Sequence, residues 1–509
     1  MLPTPSEEQK SIIKLIKNNN VCVNSVAGSG KTTTILHVAK NIQNEINDHK
    51  ILLLTYNKKL KFETRYKVNI LKLNNIEVHS YHSFCVKYYD HNCFTDSEII
   101  KIVNNEVTPI QTFSYNLFVL DECQDMTPLY YELIIKIIKN NSVNHNNIKF
   151  LILGDEKQSI YQFNKADERF IKLATTVFNI NNTPWEKIKL NTSFRITKQM
   201  SNFINNILLG KLRINAIKSG YPIRYLICNS FCSKYGGKVF DEVLRYINMG
   251  YIYEDIFILS PSVKSQKSPV RSLANYMSDK KKIPIYVPNN DDEKLDEDIL
   301  SGKIAFSTYH QVKGLERKVV IVSGFDESYF KFYKPDADKL KCPNELYVAT
   351  TRAKEHLTLI HNKNNNYLPF INTLKLNKYS NVIGSLGQIN NYNFFRQQPS
   401  NVYIKDVIKY LPISIIEKSL SNVNIINTKN KQKNILIPIK TKQDKGYESV
   451  SEINTIAIIA NFEFKITGNT YLTEKNLDNI NPSELLKLSN KWCAEISGCK
   501  YKLNQINSY

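Results

Sequence analysis

Two short stretches of the chain carry residues suited to phosphate chemistry. Residues 24–33 read Asn-Ser-Val-Ala-Gly-Ser-Gly-Lys-Thr-Thr, and residues 119–122 read Val-Leu-Asp-Glu. Ala27, Gly28, Ser29, Gly30, Lys31, Thr32 and Thr33 fall between an apolar run at 21–26 and a helical pattern at 32–46. That strand–loop–helix setting is what a phosphate-binding loop requires. Gly28 and Gly30 let the backbone curl so that its N–H groups point inward, and the helix N-terminus adds partial positive charge. Lys31 would then reach the β- and γ-phosphates of ATP, and the Thr32 hydroxyl would ligate Mg²⁺. Asp121, ending its apolar run, would hold the same Mg²⁺, with Glu122 beside it to orient an attacking water. Gly-Ser-Gly alone reads as a turn; Lys31-Thr32 and the acidic strand end downstream decide for phosphate.

Apolar runs at 21–26, 51–55, 118–120, 150–153, 256–260, 304–307, 319–323 and 357–360 have strand length. Helical patterns at 128–139, 198–208 and 345–353 fall between them. Continuous apolar strands alternating with helices imply an α/β fold with parallel sheets covered on both faces. One sheet holding all of these strands would be unusually large. We therefore expect two tandem lobes, 1–190 and 191–369, and an appended region at 370–509 where the alternation fades. In that region 402–411 and 453–464 have the texture of ordered elements, and 428–445 reads as a basic loop.

At 509 residues, with 42% apolar and 11% aromatic content, the chain suits a multi-domain globular protein. No apolar stretch is long and uncharged enough to span a bilayer, and the N-terminus is no signal peptide, so no membrane partner is expected. Nine scattered cysteines without His partners at zinc spacing imply reduced thiols and an intracellular setting, nucleus or cytoplasm. The net charge of +21 favours a polyanionic partner such as nucleic acid, although a Lys-, Asn- and Ile-rich composition also follows from AT-rich coding.

Further segments extend the pattern. Residues 153–163 read Leu-Gly-Asp-Glu-Lys-Gln-Ser-Ile-Tyr-Gln-Phe, again at a strand end. Residues 191–195 read Asn-Thr-Ser-Phe-Arg, 307–316 Ser-Thr-Tyr-His-Gln-Val-Lys-Gly-Leu-Glu, and 345–353 Glu-Leu-Tyr-Val-Ala-Thr-Thr-Arg-Ala. In this order and spacing the set resembles superfamily 1 DNA helicases of the UvrD/Rep/PcrA type over roughly residues 4–361.

The resemblance implies two RecA-like lobes with ATP between them and carries roles over residue by residue. Gln9 matches the reader of the adenine edge, Phe194 the ring stacked on adenine, and Glu316 the carboxylate that binds ribose. Gln158 matches the γ-phosphate sensor; Arg195 and Arg352 match the two arginines that reach the γ-phosphate from the second lobe. For the strand, Tyr56 matches an aromatic that packs on a base, and Tyr161 and Phe163 the pair over which bases step. His82, Thr308 and His310 match further strand-contacting and coupling positions. Each of the three aromatics would also suit a core. The implied partners are single-stranded DNA and duplex junctions, the implied direction 3′→5′ from the Gly314-Leu315-Glu316 ending, and the implied setting replication, recombination or repair.

Thr33 stands where many relatives carry Arg, so that contact does not carry over, and Cys123 replaces the usual Ala. Only 84–115 and 261–303 remain for insertions, which implies a pared-down motor. The C-terminal region resembles extensions in viral and lower-eukaryotic helicases of this type. It holds no Asp…Glu-x-Lys arrangement in a strand setting, so a DNA-binding or partner-docking role is expected rather than a nuclease. Two rivals remain open: a superfamily 1 RNA helicase, and an ATP-gated single-strand clamp or protein-displacing factor that does not unwind.

Overall fold

The structure is a computed structural model describing residues 2–387, apart from 47, 57, 106, 232–235, 266–267, 289–294 and 296, together with 436–439, 493–496 and 499–503. Six strands of the first lobe are β1 (Asn20–Ser25), β2 (Ile51–Thr55), β3 (Ile76–His79), β4 (Leu117–Asp121), β5 (Lys149–Gly154) and β6 (Trp185–Leu190). They form one parallel sheet in the order β3-β2-β4-β5-β1-β6. Every residue of β2 and β4 is buried, which is why both read as unbroken apolar runs. Val21, Leu53, Val119 and Leu151 share one core cluster with Ile35 and Ala39 of the helix Lys31–Glu45.

A short parallel pair, β7 (Thr192–Ser193) with β8 (Asn215–Ala216), follows the crossing out of the first sheet. The second sheet contains β9 (Ile223–Cys228), β10 (Ile256–Ser260), β11 (Ile285–Tyr286), β12 (Ile304–Thr308), β13 (Arg317–Ser323), β14 (Ala353–Asn362) and β15 (Ser380–Ile383). It too is parallel, in the order β11-β12-β10-β13-β14-β9-β15. Val26 and Ile160 of the first lobe belong to the core cluster on one face of this sheet, with Phe203, Tyr309 and Tyr347, so the two lobes share buried apolar contact. The α/β class with two parallel sheets agrees with the sequence reading.

Five strands of the two large parallel sheets were not legible as apolar runs. β3, β6, β11 and β15 are sheet edges, and their burial is incomplete, in the pattern of strands with one side open to water. β9 is interior, but its run is broken by Arg224, which pairs with the buried Glu242 at 2.6 Å. The second sheet therefore continues past 369, where the sequence reading ended the lobe. The helix Thr373–Tyr379, capped by Asn372, leads into β15, which pairs with β9. Among the described residues the two insertion segments hold only short elements, such as the helices Asp96–Asn104 and Pro269–Asn275.

A second unit is drawn mainly from 391–509. Of it, β16 (Leu436–Ile439), β17 (Cys493–Ile496) and β18 (Cys499–Leu503) are described, as an antiparallel sheet in the order β16-β18-β17. β16 lies within the stretch expected to be a loop. The expected ordered elements at 402–411 and 453–464 lie outside the described residues. Among the described residues no helix is long and apolar enough to cross a membrane.

Candidate nucleotide and nucleic-acid site

Three neighbouring strands of the first sheet, β4, β5 and β1, each end in a chemical group. In open α/β sheets the carboxyl ends of the strands are where ligands bind. β1 runs into the glycine-rich loop, β4 ends in Asp121 followed by Glu122, and β5 is followed by Asp155 and Gln158.

Gly28 and Gly30 have φ of +72° and +80°, a region that glycine enters freely. Gly28 has a second reason to be glycine. A side chain there would run into Arg195 and come within 2.9 Å of Ser193 Oγ. The segment 193–195 is thus laid directly on the loop. Ser193 Oγ donates to the Ala27 carbonyl at 2.7 Å, and Phe194 N donates to the Gly28 carbonyl at 2.9 Å. Phe194 is 48% exposed. Gln9 is buried and donates from Nε2 to Thr34 Oγ1 at 3.1 Å and to the Gly30 carbonyl at 3.4 Å. Its Oε1 accepts from Ser6 N at 2.9 Å, closing a capping box on the helix Glu7–Leu15.

Lys31 Nζ lies 3.0 Å from Glu122 Oε1. Burial opposes the Lys31 charge, but Glu122, Asp121 and Asp155 outweigh it and raise the pKa above its ordinary value. Burial likewise opposes the Glu122 charge, yet Lys31 and Lys313 hold its carboxyl well below the usual range. Asp121 is driven the other way, upward, by burial and by the Glu122 charge beside it. Asp121 is therefore the carboxylate with unmet need for positive charge. Glu122 also sits at φ +54°, an uncommon conformation for a side-chain-bearing residue and one that concentrates at functional sites.

Gln158 is buried, with Nε2 donating to Asp155 Oδ2 at 2.9 Å and Oε1 accepting from Arg352 Nη2 at 3.0 Å. Arg352, only 1% exposed, also donates to the Val348 carbonyl at 3.0 Å and to Thr351 Oγ1 at 3.1 Å. None of these partners is an anion. Burial and the neighbouring Arg195 push its pKa down to about 9. Arg195 and Glu316, expected at opposite ends of a nucleotide, instead pair with each other. Glu316 also pairs with Lys354 at 2.6 Å.

The strand-contacting candidates form a row of rings. Successive centroids are 6.1 Å apart from His82 to Tyr130, 6.1 Å from Tyr130 to Tyr56, and 6.1 Å from Tyr56 to Tyr161. The row continues 5.9 Å to Phe163 and 5.5 Å to His310, which belongs to the second lobe. Tyr161 Oη donates to the His310 carbonyl at 3.2 Å, fastening the row across the lobes. Phe163 is 64% exposed and presents its ring to solvent. Thr308 is buried instead, its hydroxyl shared with Gln311, so it shapes the loop after β12.

Residues 8–164 match the sequence family described as an AAA domain. A protein named as an ATP-dependent DNA helicase, from Acanthamoeba polyphaga mimivirus, is 23% identical over 72% of this chain and 54% of its own length. The RecB component of the RecBCD enzyme of Borreliella burgdorferi is 27% identical over 39% of this chain and 14% of its own. One component of the ATP-dependent helicase/nuclease of Clostridium novyi is 26% identical over 29% of this chain and 11% of its own. The chain is a distant homologue of UvrD-type superfamily 1 helicases. It spans about half the length of the mimivirus relative and far less of the other two.

In this helicase homologue two residues join the site that its motifs did not single out. Tyr130 bridges His82 and Tyr56 and stacks on Tyr81 at 4.3 Å. Its signal was the amphipathic pattern of the helix Pro128–Asn140, which marks it equally as core. Lys313 lies between His310 and Glu316, and the motif gives it no role. Its Nζ sits 2.6 Å from Asp125 Oδ1, donates to the Gln158 carbonyl at 2.5 Å, and lies 4.7 Å from the Tyr161 ring centre. One second-lobe cation thus touches the acidic segment, the Gln158 backbone and the aromatic row. Spacing cannot reveal this, because it arises from lobe packing.

Proposed function

We propose that this chain is an ATP-driven translocase on single-stranded DNA that unwinds duplex in the 3′→5′ direction. The observation that carries the reading is Arg352, a guanidinium buried between the lobes, bonded to Gln158 and lacking an anionic partner among the described residues. An uncompensated buried cation is costly, and the γ-phosphate of ATP is the anion that would relieve it. The AAA-domain match supports ATP as the nucleotide. Asp121, with its raised pKa, and Thr32 would hold Mg²⁺ together with phosphate oxygens. The ion would neutralise charge developing on the phosphates.

Lys31 and the loop N–H groups then hold the phosphates, and Glu122, kept ionised by Lys31 and Lys313, accepts a hydrogen bond from the attacking water. Arg195 would exchange Glu316 for the γ-phosphate, freeing Glu316 for the ribose. The ring row from Tyr56 to His310 supplies stacking faces, worth about 1–3 kcal/mol per base and indifferent to sequence. Lys313 connects that row to Asp125 and, through its charge, to Glu122. The similarity to a protein named as a DNA helicase favours DNA, and the Gly314-Leu315-Glu316 ending favours 3′→5′. The test is ATP turnover and strand displacement on duplexes with a 3′ or a 5′ single-stranded tail, in DNA and in RNA. Displacement from the 3′-tailed DNA duplex is expected. Greater stimulation by RNA would move the reading to an RNA helicase, and ATP turnover without displacement would move it to a strand clamp.

A further inference from the structure

We propose that Arg213 is a positioning residue for ATP hydrolysis, fixing the Asp155 carboxylate and through it the Gln158 amide that faces Arg352. The inference rests on the ATPase reading above. Arg213 lies just before β8, outside every motif segment of the sequence. Its Nη2 sits 2.8 Å from Asp155 Oδ1 and donates to Asn24 Oδ1 at 3.0 Å and to the Ser25 carbonyl at 3.3 Å. Its Nη1 donates to Tyr347 Oη at 3.4 Å. One guanidinium therefore spans the end of β1, the residue after β5, and the second-lobe helix Asn344–Thr350. Burial works against its charge, and Asp155 beside it more than compensates.

The other oxygen of Asp155, Oδ2, accepts from Gln158 Nε2 at 2.9 Å and from Tyr347 Oη at 3.4 Å. This contact sets which way the Gln158 amide points. With Nε2 held by the carboxylate, Oε1 is left to accept from Arg352 at 3.0 Å. A flipped amide would put an NH₂ group against the guanidinium. Asp155 can enforce the orientation only while it is held in place, and it is fully buried. A buried carboxylate needs a cation paired with it. Arg213 is that cation, and its planar fork reaches several acceptors where an ammonium would serve fewer. The chain Arg213–Asp155–Gln158–Arg352 ties the end of β1 to the second-lobe arginine.

The test compares wild type, Arg213→Ala, Arg213→Lys, Gln158→Ala and the Arg213→Ala/Gln158→Ala double variant, with Lys31→Ala as an inactive control. Strand-stimulated kcat and KM, binding of a fluorescent ATP analogue, and the thermal midpoint are measured for each. Arg213→Ala is expected to lower kcat by about tenfold or more while analogue affinity is retained, the scale of a misplaced reacting group. Arg213→Lys should recover part of that loss. The double variant should be no slower than Gln158→Ala alone, because both changes break one chain. A role confined to stability would make the two losses multiply, and that result overturns the proposal. Unchanged kcat in Arg213→Ala overturns it as well. If Arg213→Ala does not fold, Arg213→Lys alone and combined with Gln158→Ala carries the same comparison. A wild type no faster than Lys31→Ala would instead defeat the ATPase reading itself.

Discussion

The two sides of the seam between the lobes handle charge differently. On the first-lobe side Lys31 is matched within its own lobe, 3.0 Å from Glu122 and close enough to Asp121 and Asp155 for both to raise its pKa. On the second-lobe side Arg352 is bonded to two neutral side chains and a carbonyl, and its pKa is driven down. Lys31 is therefore in balance without a ligand's charge, whereas the second lobe holds a cation that an anion would satisfy. A ligand with a terminal phosphate would then bind mainly through the first lobe and draw the second onto itself. Binding and hydrolysis should accordingly separate when the lobes are perturbed one at a time.

The largest effect should come from the first lobe. Lys31→Ala removes the cation proposed to meet the phosphates, and ATP turnover should fall to background in a phosphate-release assay. A loss of only a few-fold would show that the loop does not cradle phosphate. Next comes Arg352→Ala, which should cut turnover by about 10³ or more, the scale of an arginine finger, while the variant still binds nucleotide. A non-hydrolysable ATP analogue should also raise its thermal midpoint less than that of wild type, because the variant no longer gains a counter-ion. Equal shifts would remove the asymmetry between the lobes.

How far the sequence disclosed this arrangement follows the same division. Strands buried on both faces, such as β2 and β4, and the groups at their ends were legible, because local order fixes both the apolar run and the residue that follows it. Edge strands such as β6, with its Glu186 and Lys187 exposed, carried no such signal. Neither did contacts made by lobe packing. Lys313 on Asp125 and Arg213 on Asp155 join residues far apart in sequence, and no spacing rule predicts them. Arg195 and Glu316 were legible as residues but not as partners of each other.

Smaller effects should follow where the seam meets the aromatic row. Lys313→Ala should lower strand-stimulated turnover further than basal turnover, by about tenfold in the ratio, since it removes the cation shared by Asp125 and the Tyr161 ring. A proportional fall in both rates would mean that Lys313 serves the nucleotide site alone. Phe163→Ala should weaken single-strand affinity by about 1–3 kcal/mol in a fluorescence titration, with Phe163→Tyr close to wild type. Unchanged affinity would place the exposed ring outside the strand path. The smallest change is expected on ending the chain after residue 387, which keeps β15 and its pairing with β9. Strand-stimulated turnover should persist there, whereas ending it after 369 removes an edge of the second sheet and should lower the thermal midpoint.

Our proposal is that strand and nucleotide are read across one seam, completed by the second lobe. It is tested most directly by ATP turnover of the full chain titrated with an unstructured single-stranded oligodeoxynucleotide, wild type beside Arg352→Ala. The wild-type rate should rise with strand concentration to a plateau, and the Arg352→Ala rate should stay near zero at saturating strand. A wild-type rate indifferent to strand, or an Arg352→Ala variant stimulated to the same plateau, would contradict it.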